Sequence, residues 1–221
     1  GKEVPMHEPR GKVSVGLGYA VSPTGADHIQ AAHDTALEKL PDTFKPFGIL
    51  EPMSRFSLGP EKVRAFIYLQ TWWSFFNCLC FCIFTAAPHA SGVFTVEDIR
   101  DIINAATGWN MSLWEMMKVG ERALTMARCF NVREGFGRND DRLPERLFEA
   151  LPSGPLKGRA IPKEEFERAL SLYYEMMGWD PKDGIPLKSK LYELDLGWLA
   201  DLMSEYLKII VKHHHSVDET L

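Results

Sequence analysis

An all-α fold, built as an irregular multi-helix domain, is predicted by three observations. Apolar residues recur at helical spacing through the second half of the chain, helix-start signals precede those runs, and no strand-like alternation of any length competes with them. The 221 residues are 45% hydrophobic and 11% aromatic, enough apolar surface for a sizeable core. Twenty-five basic residues stand against thirty acidic ones, for a net charge of -5. With no basic patch to neutralise phosphates, nucleic acid is not an expected partner.

Residues 1–24 carry Pro5, Pro9, Gly11, Gly16, Gly18 and Pro23 without a sustained period and read as extended loop. Gly25 to Leu40 reads as a helix closed by Pro41. A proline-rich connection through Pro46, Pro52 and Pro60 follows. Pro60, with Glu61 beside it at the positive end of the helix dipole, starts an apolar helix. After the Pro88–Gly92 break, Thr95 and Asp98 form a capping box that opens a helix to about Ala106, ended by Gly108. Asn110-Met-Ser-Leu begins a longer helix whose core face is Leu113, Met117, Gly120, Leu124 and Ala127. Pro162 begins another, to about Met177. A last helix follows Asp195 or Gly197, with Trp198, Leu202, Tyr206, Ile209 and Ile210 along one side, and the tail from His213 reads as frayed. The expected division is an irregular segment with one helix over 1–58 and a helical domain over 59–221.

Three of the four cysteines sit at alternate positions in Phe76-Asn-Cys-Leu-Cys-Phe-Cys-Ile-Phe84. On a continuous helix Cys78 and Cys82 share a face and Cys80 points away, so the stretch alone cannot complete a tetrahedral or cubane site. The thiols read either as small buried hydrophobes or as the source of one ligand to a cluster completed elsewhere. The run Ala65 to Ala87 has no formal charge over twenty-three residues, long enough to span a bilayer. Gln70, Thr71, Ser74 and Asn77 inside it favour a buried helix instead, so no membrane is expected. The cysteine pattern is unlike a secreted disulfide framework and fits a reducing cytoplasm.

The other polar stretch, Phe130-Asn-Val-Arg-Glu-Gly-Phe-Gly-Arg-Asn-Asp-Asp-Arg-Leu-Pro-Glu-Arg146, reads as an ion-paired docking loop or a solvated turn. Asp140 and Asp141 lie between arginines and are expected to be ionised and structural. His28 and His33 have no clean metal-ligand spacing, and His213-His-His215 reads as a solvated terminus.

This loop resembles a signature of the aldehyde ferredoxin oxidoreductase family, in which F-N-x-R-E-G is followed by R-x-D-D-x-L-P-x-R. Tyr173-Tyr-Glu-Met-Met-Gly-Trp-Asp, Gly184-Ile-Pro and Leu191-Tyr-Glu-Leu-Asp-Leu follow in the family's order. Pro9-Arg-Gly, Gly16-Leu-Gly-Tyr-Ala and Gly25-Ala-Asp-His28 are similar to the segment upstream. The resemblance implies the C-terminal helical region of a tungsten enzyme. It aligns the cysteine stretch with the motif D-x-x-G-L-C, which ends in the fourth ligand of a [4Fe–4S] cluster and lines one pterin. Cys82 then takes the cluster-ligand position. Asn77 replaces the aspartate, Cys80 the glycine and Phe81 the leucine, with Asn77 and Phe81 facing the pterin and Cys78 left as core.

The expected full-length cofactors are a tungsten or molybdenum bis-pterin and one [4Fe–4S] cluster, with none in this chain alone, since the upstream cysteine group and pterin domain lie outside it. The start at Gly1 is expected of a piece cut from a longer protein. Expected partners are the missing N-terminal domains, ferredoxin or another electron-transfer protein, and a homodimer mate. The implied reaction is oxidation of aldehydes to carboxylic acids, with this piece inactive by itself. The alternatives are another low-potential substrate, such as an aromatic acyl thioester, and a helical scaffold that lost its cofactor. Catalytic acid–base residues are not assigned.

Overall fold

A computed structural model describes residues 3–40, 42–85 and 93–206. Pro41, the break over 86–92 and the tail with Ile209, Ile210 and His213–His215 lie outside the described residues. The helices are α1 (Val13–Val21), α2 (Asp34–Lys39), α3 (Pro60–Leu79), α4 (Val96–Thr107), α5 (Leu113–Arg133), α6 (Lys163–Met177) and α7 (Lys188–Glu193), followed by a helical stretch over 197–206. Among the described residues there is no strand, as the all-α expectation requires, only isolated bridges at Pro23–Gly25 and Trp179–Pro186.

Helix α3 is the hub, packed along α5 and α6. Trp72, fully buried, packs at tilted and edge-on angles against Phe47, Phe75 and Phe76 at centroid distances of 5.4, 5.4 and 5.2 Å. Where α3 meets α5, Gly120 lies against the α3 backbone at Thr71 and Phe75. The expected core face of α5 is shifted by a residue at its start. Met116, Gly120, Leu124, Thr125, Arg128 and Val132 are buried, whereas Leu113, Met117 and Ala127 are half-buried. The Thr95–Asp98 capping box is present, and Ser112 with Glu115 forms a second one. Gly108 ends α4 with φ 73°, as expected.

The N-terminal region departs from the loop expectation. Residues 13–21 are a helix, and every one of them is buried. A helix that is buried on all sides has no amphipathic period to announce it. Gly16 and Gly18, which read as loop, allow Leu143, Ile161 and Phe66 to approach. The expected helix over Gly25 to Leu40 shrinks to Asp34–Lys39, because Asp27 turns the chain by accepting from Ile29 N at 2.9 Å and the Gln30 side chain at 2.8 Å.

One buried ion pair ties these pieces together. Asp34 Oδ2 accepts from Ser14 N at 3.0 Å, Ser14 Oγ at 2.6 Å and Val15 N at 3.3 Å, capping α1 from a distance. Its Oδ1 takes Lys62 Nζ at 2.6 Å, and Lys62 also donates to Ser54 O. Both side chains are essentially inaccessible, at 0% and 2% exposure. A second tie is Arg10, which donates to the carbonyls of Arg146 and Glu149 while paired with Glu8.

Two further expectations are corrected. The apolar side of the 197–206 stretch is not its buried side: Ala200 and Met203 point into a small cluster with Cys129, Leu191 and Leu194, while Trp198 and Leu202 are exposed. And α3 stops at Leu79, so the long uncharged run is not one helix. No helix among the described residues is long and apolar enough to cross a membrane. Inside α3, Gln70 is buried by accepting from Tyr173 OH at 2.8 Å.

Candidate functional site

Helix α3 ends in a Schellman motif. Phe81 N donates to Phe76 O and Cys80 N to Asn77 O, both at 3.2 Å, and the Phe81 ring packs on Phe76 at 5.9 Å. Cys80 sits in the left-handed region at φ 54°, ψ 34°, a conformation that glycine adopts freely and an L-residue at a cost of about 1–2 kcal/mol. The chain therefore leaves the helix before Cys82. Cys78 and Cys82 therefore do not share a helix face, and Cys78 is exposed rather than core.

The structure displays the sequence-predicted residues on this one turn. Asn77 is exposed on the last turn of α3, and Phe81 is half-buried with its ring against Phe76 and Phe94. Cys82 is exposed, its carbonyl accepting from Thr85 N at 3.1 Å and Thr85 Oγ1 at 2.7 Å, which closes the turn behind it. Cys129 is in another place altogether: it is buried in the small C-terminal cluster, and burial pushes its thiol up to about 11. A buried, protonated thiol is a poor metal ligand, whereas an exposed one on a fixed turn can be presented to a neighbouring domain.

Beside this turn lies a cavity of about 410 Å³ that sequence spacing did not reveal. Three histidines meet in it: His7 lies 4.6 Å from His28 and 4.5 Å from His33 between ring centroids, and His28 lies 6.0 Å from His33. Trp73, Ile29 and Ala32 form walls, and Ile83 and Phe84, the two residues after Cys82, form another. Tyr19 OH donates to His7 O at 3.0 Å and fixes the N-terminal strap that carries His7. His7 and His33 are both held below the ordinary imidazole value, by burial first and then by the nearby Lys12 ammonium. Among the described residues no three His, Cys, Asp or Glu side chains are arranged to hold a metal ion. The signal that could have found the triad is the position of His7 and His28 within or next to the motifs Pro9-Arg-Gly and Gly25-Ala-Asp-His28.

The acidic–arginine loop after α5 docks on this chain itself. Arg128 Nη1 pairs with Asp141 Oδ2 at 2.7 Å and Arg128 Nε donates to Gly184 O at 2.8 Å, while Tyr174 OH donates to the same Asp141 oxygen. Arg138 reaches Pro181 O and Glu167, and Asp140 caps Gly137 N at 2.9 Å. The two aspartates are structural, as expected, with the principal cation supplied by α5.

Residues 1–196 match the family model described as aldehyde ferredoxin oxidoreductase, domains 2 and 3. The chain belongs to the aldehyde ferredoxin oxidoreductase family. It is 34% identical over 197 residues to the tungsten-containing aldehyde ferredoxin oxidoreductase of Pyrococcus abyssi, covering 88% of this chain and 30% of that protein. The figures for the enzyme of the same name from Thermococcus kodakarensis are 33% over 196 residues, with the same coverage. An aliphatic sulfonate oxidoreductase WOR-like subunit of Pyrococcus furiosus is 32% identical over 130 residues, 56% of this chain and 20% of that subunit. A solved structure, the active-site complex BamBC of benzoyl coenzyme A reductase with 1,5-dienoyl-CoA, shares the fold over 79% of this chain and 25% of that one, at TM-score 0.57 and 22% identity. The chain thus spans about 30% of the length of the curated tungsten relatives it matches.

Cys80 thus holds, with a side chain, a backbone conformation that glycine adopts freely. Cys80→Gly is therefore expected to raise stability by about 1 kcal/mol, read from urea denaturation of the full-length protein. A loss of stability would mean that the Cys80 side chain makes a favourable contact.

Proposed function

We propose that this chain is the C-terminal part of a cytoplasmic oxidoreductase that converts aldehydes to carboxylic acids and passes the electrons to ferredoxin. The observation that carries the reading is the shared wall: Ile83 and Phe84 run directly from Cys82 into the histidine cavity. The proposed cluster ligand and a cavity lined by three imidazoles thereby lie side by side.

In this reading Cys82 supplies one thiolate to a [4Fe–4S] cluster whose other ligands come from the missing part of the protein. Its exposure on a closed turn fits that role, and the buried Cys129 does not. Asn77 presents its amide to one pterin of the tungsten or molybdenum cofactor, donating and accepting where an aspartate would only accept. When bound, the metal centre accepts two electrons and the cluster relays them singly. The balance is one aldehyde and one water giving one carboxylic acid, two protons and two electrons.

The protons fall to the imidazoles. His33 has both ring nitrogens engaged, by Lys12 and by the His28 carbonyl. The His28 ring has no hydrogen-bond partner among the described residues and lines the cavity, so we assign it the proton from the attacking water. The test is anaerobic assay of the full-length, metal-loaded protein for aldehyde-dependent ferredoxin reduction. His28→Asn is expected to lower kcat by about 100-fold with iron and tungsten contents unchanged. Metal-loaded protein that oxidises neither aliphatic nor aromatic aldehydes would overturn the reading.

A further inference from the structure

We propose that Lys12 is a positioning residue that locks His33 as the neutral tautomer with its proton on Nε2 and so anchors the turn that carries His28. The inference deepens the reading of the histidine cavity as the reaction site. Lys12 Nζ lies 3.1 Å from His33 Nδ1, and His33 Nε2 lies 3.0 Å from His28 O. An ammonium has only donors, so Nδ1 must be the acceptor, and the carbonyl has only lone pairs, so Nε2 must carry the hydrogen. Either the other tautomer or the imidazolium would set a donor against a donor at Lys12. The two hydrogen bonds together connect the start of α1 to the backbone of His28 through a ring that cannot change its protonation without breaking one of them.

The other charged groups around the triad are occupied. Glu8 is held by Arg10, Asp27 by Ile29 N and Gln30, and Asp34 by Lys62 and the start of α1. Lys12 is the cation that reaches the triad by a hydrogen bond among the described residues. The turn over 28–33 has no helical hydrogen bonds to hold it, since α2 begins only at Asp34. Asp27 and the His33 bridge hold this turn in place of a helix, and the bridge ties down the backbone that carries the His28 ring.

The experiment is carbethoxylation of the full-length protein with diethyl pyrocarbonate at pH 7, quantified histidine by histidine by mass spectrometry. The reagent needs an imidazole nitrogen with a free lone pair. His33 is expected to react at least tenfold more slowly than His28 in the unmodified protein. Lys12→Met should raise the His33 rate at least tenfold, and Lys12→Arg, which keeps a donor, should restore protection. If Lys12→Met does not fold, the contrast between His33 and His28 in the unmodified protein and the protection in Lys12→Arg still decide. Equal reactivity of His33 and His28, or a His33 rate unmoved by Lys12→Met in folded protein, would overturn the assignment. Labelling does not depend on turnover. A failed aldehyde assay with His33 protected sinks the functional reading alone, and an active enzyme with His33 unprotected sinks the Lys12 role alone.

Discussion

Gly120→Ala is expected to destabilise the protein by roughly 3 kcal/mol or more, lowering the denaturation midpoint of the full-length protein. On propensity alone the sign would be opposite, because alanine in the interior of a helix is favoured over glycine by about 1 kcal/mol. What reverses it is the crossing of α5 over α3. A methyl group on residue 120 would overlap Thr71 O and lie 3.0 Å from Phe75 N, and both are backbone atoms of a helix that cannot rotate out of the way. The two helices would have to separate, opening the core around Trp72, Trp73 and Phe75. A variant as stable as the parent, or more stable, would mean that the helices do not approach this closely.

Lys62→Met is expected to cost about 3–5 kcal/mol, because it leaves the Asp34 carboxylate buried without its cation. The coulombic value of the pair is not the reason, since a well-packed apolar pair in such a place often holds a fold as firmly. The cost is that of one uncompensated charge. Asp34→Asn combined with Lys62→Met should therefore recover part of the loss, as the amide oxygen can still accept from Ser14 N and Val15 N. A double variant no more stable than Lys62→Met alone would contradict this, and the denaturant midpoints of the four proteins measure it directly.

How far the chain could be read depended on where each residue's partners lie. The starts of α3, α4 and α6 and the end of α4 were legible because Pro60, Thr95 with Asp98, Pro162 and Gly108 act on their immediate neighbours. Helix α1 was not, because its burial on every side erases the period and its cap is Asp34, far along the chain. The end of α3 was misread for a different reason: the stop at Cys80 uses a residue that ordinarily avoids the left-handed region, so no glycine marked it. The exposed Trp198 and Leu202 were misassigned because an apolar stripe alone does not say what covers it.

The site was legible in the same uneven way. Cys82 is singled out by the motif that the stretch resembles, and the structure places it beyond the helix, exposed, on a turn closed by Thr85. The histidine cavity was invisible from spacing, since His7 joins His28 and His33 only after α1 folds back between them and Tyr19 holds the strap. Neither the triad nor Lys12 has a pattern within any short window of the chain.

The proposed role of Cys82 is that of this chain's one ligand to an iron–sulfur cluster shared with the rest of the protein. It is tested most directly by measuring iron and tungsten in anaerobically purified full-length protein beside its Cys82→Ser, Cys78→Ser and Cys129→Ser variants. Four irons per protein are expected in the parent and in the Cys78 and Cys129 variants, with iron depleted in Cys82→Ser alone. Full iron content in Cys82→Ser, with the loss moved to Cys78 or Cys129, would contradict it.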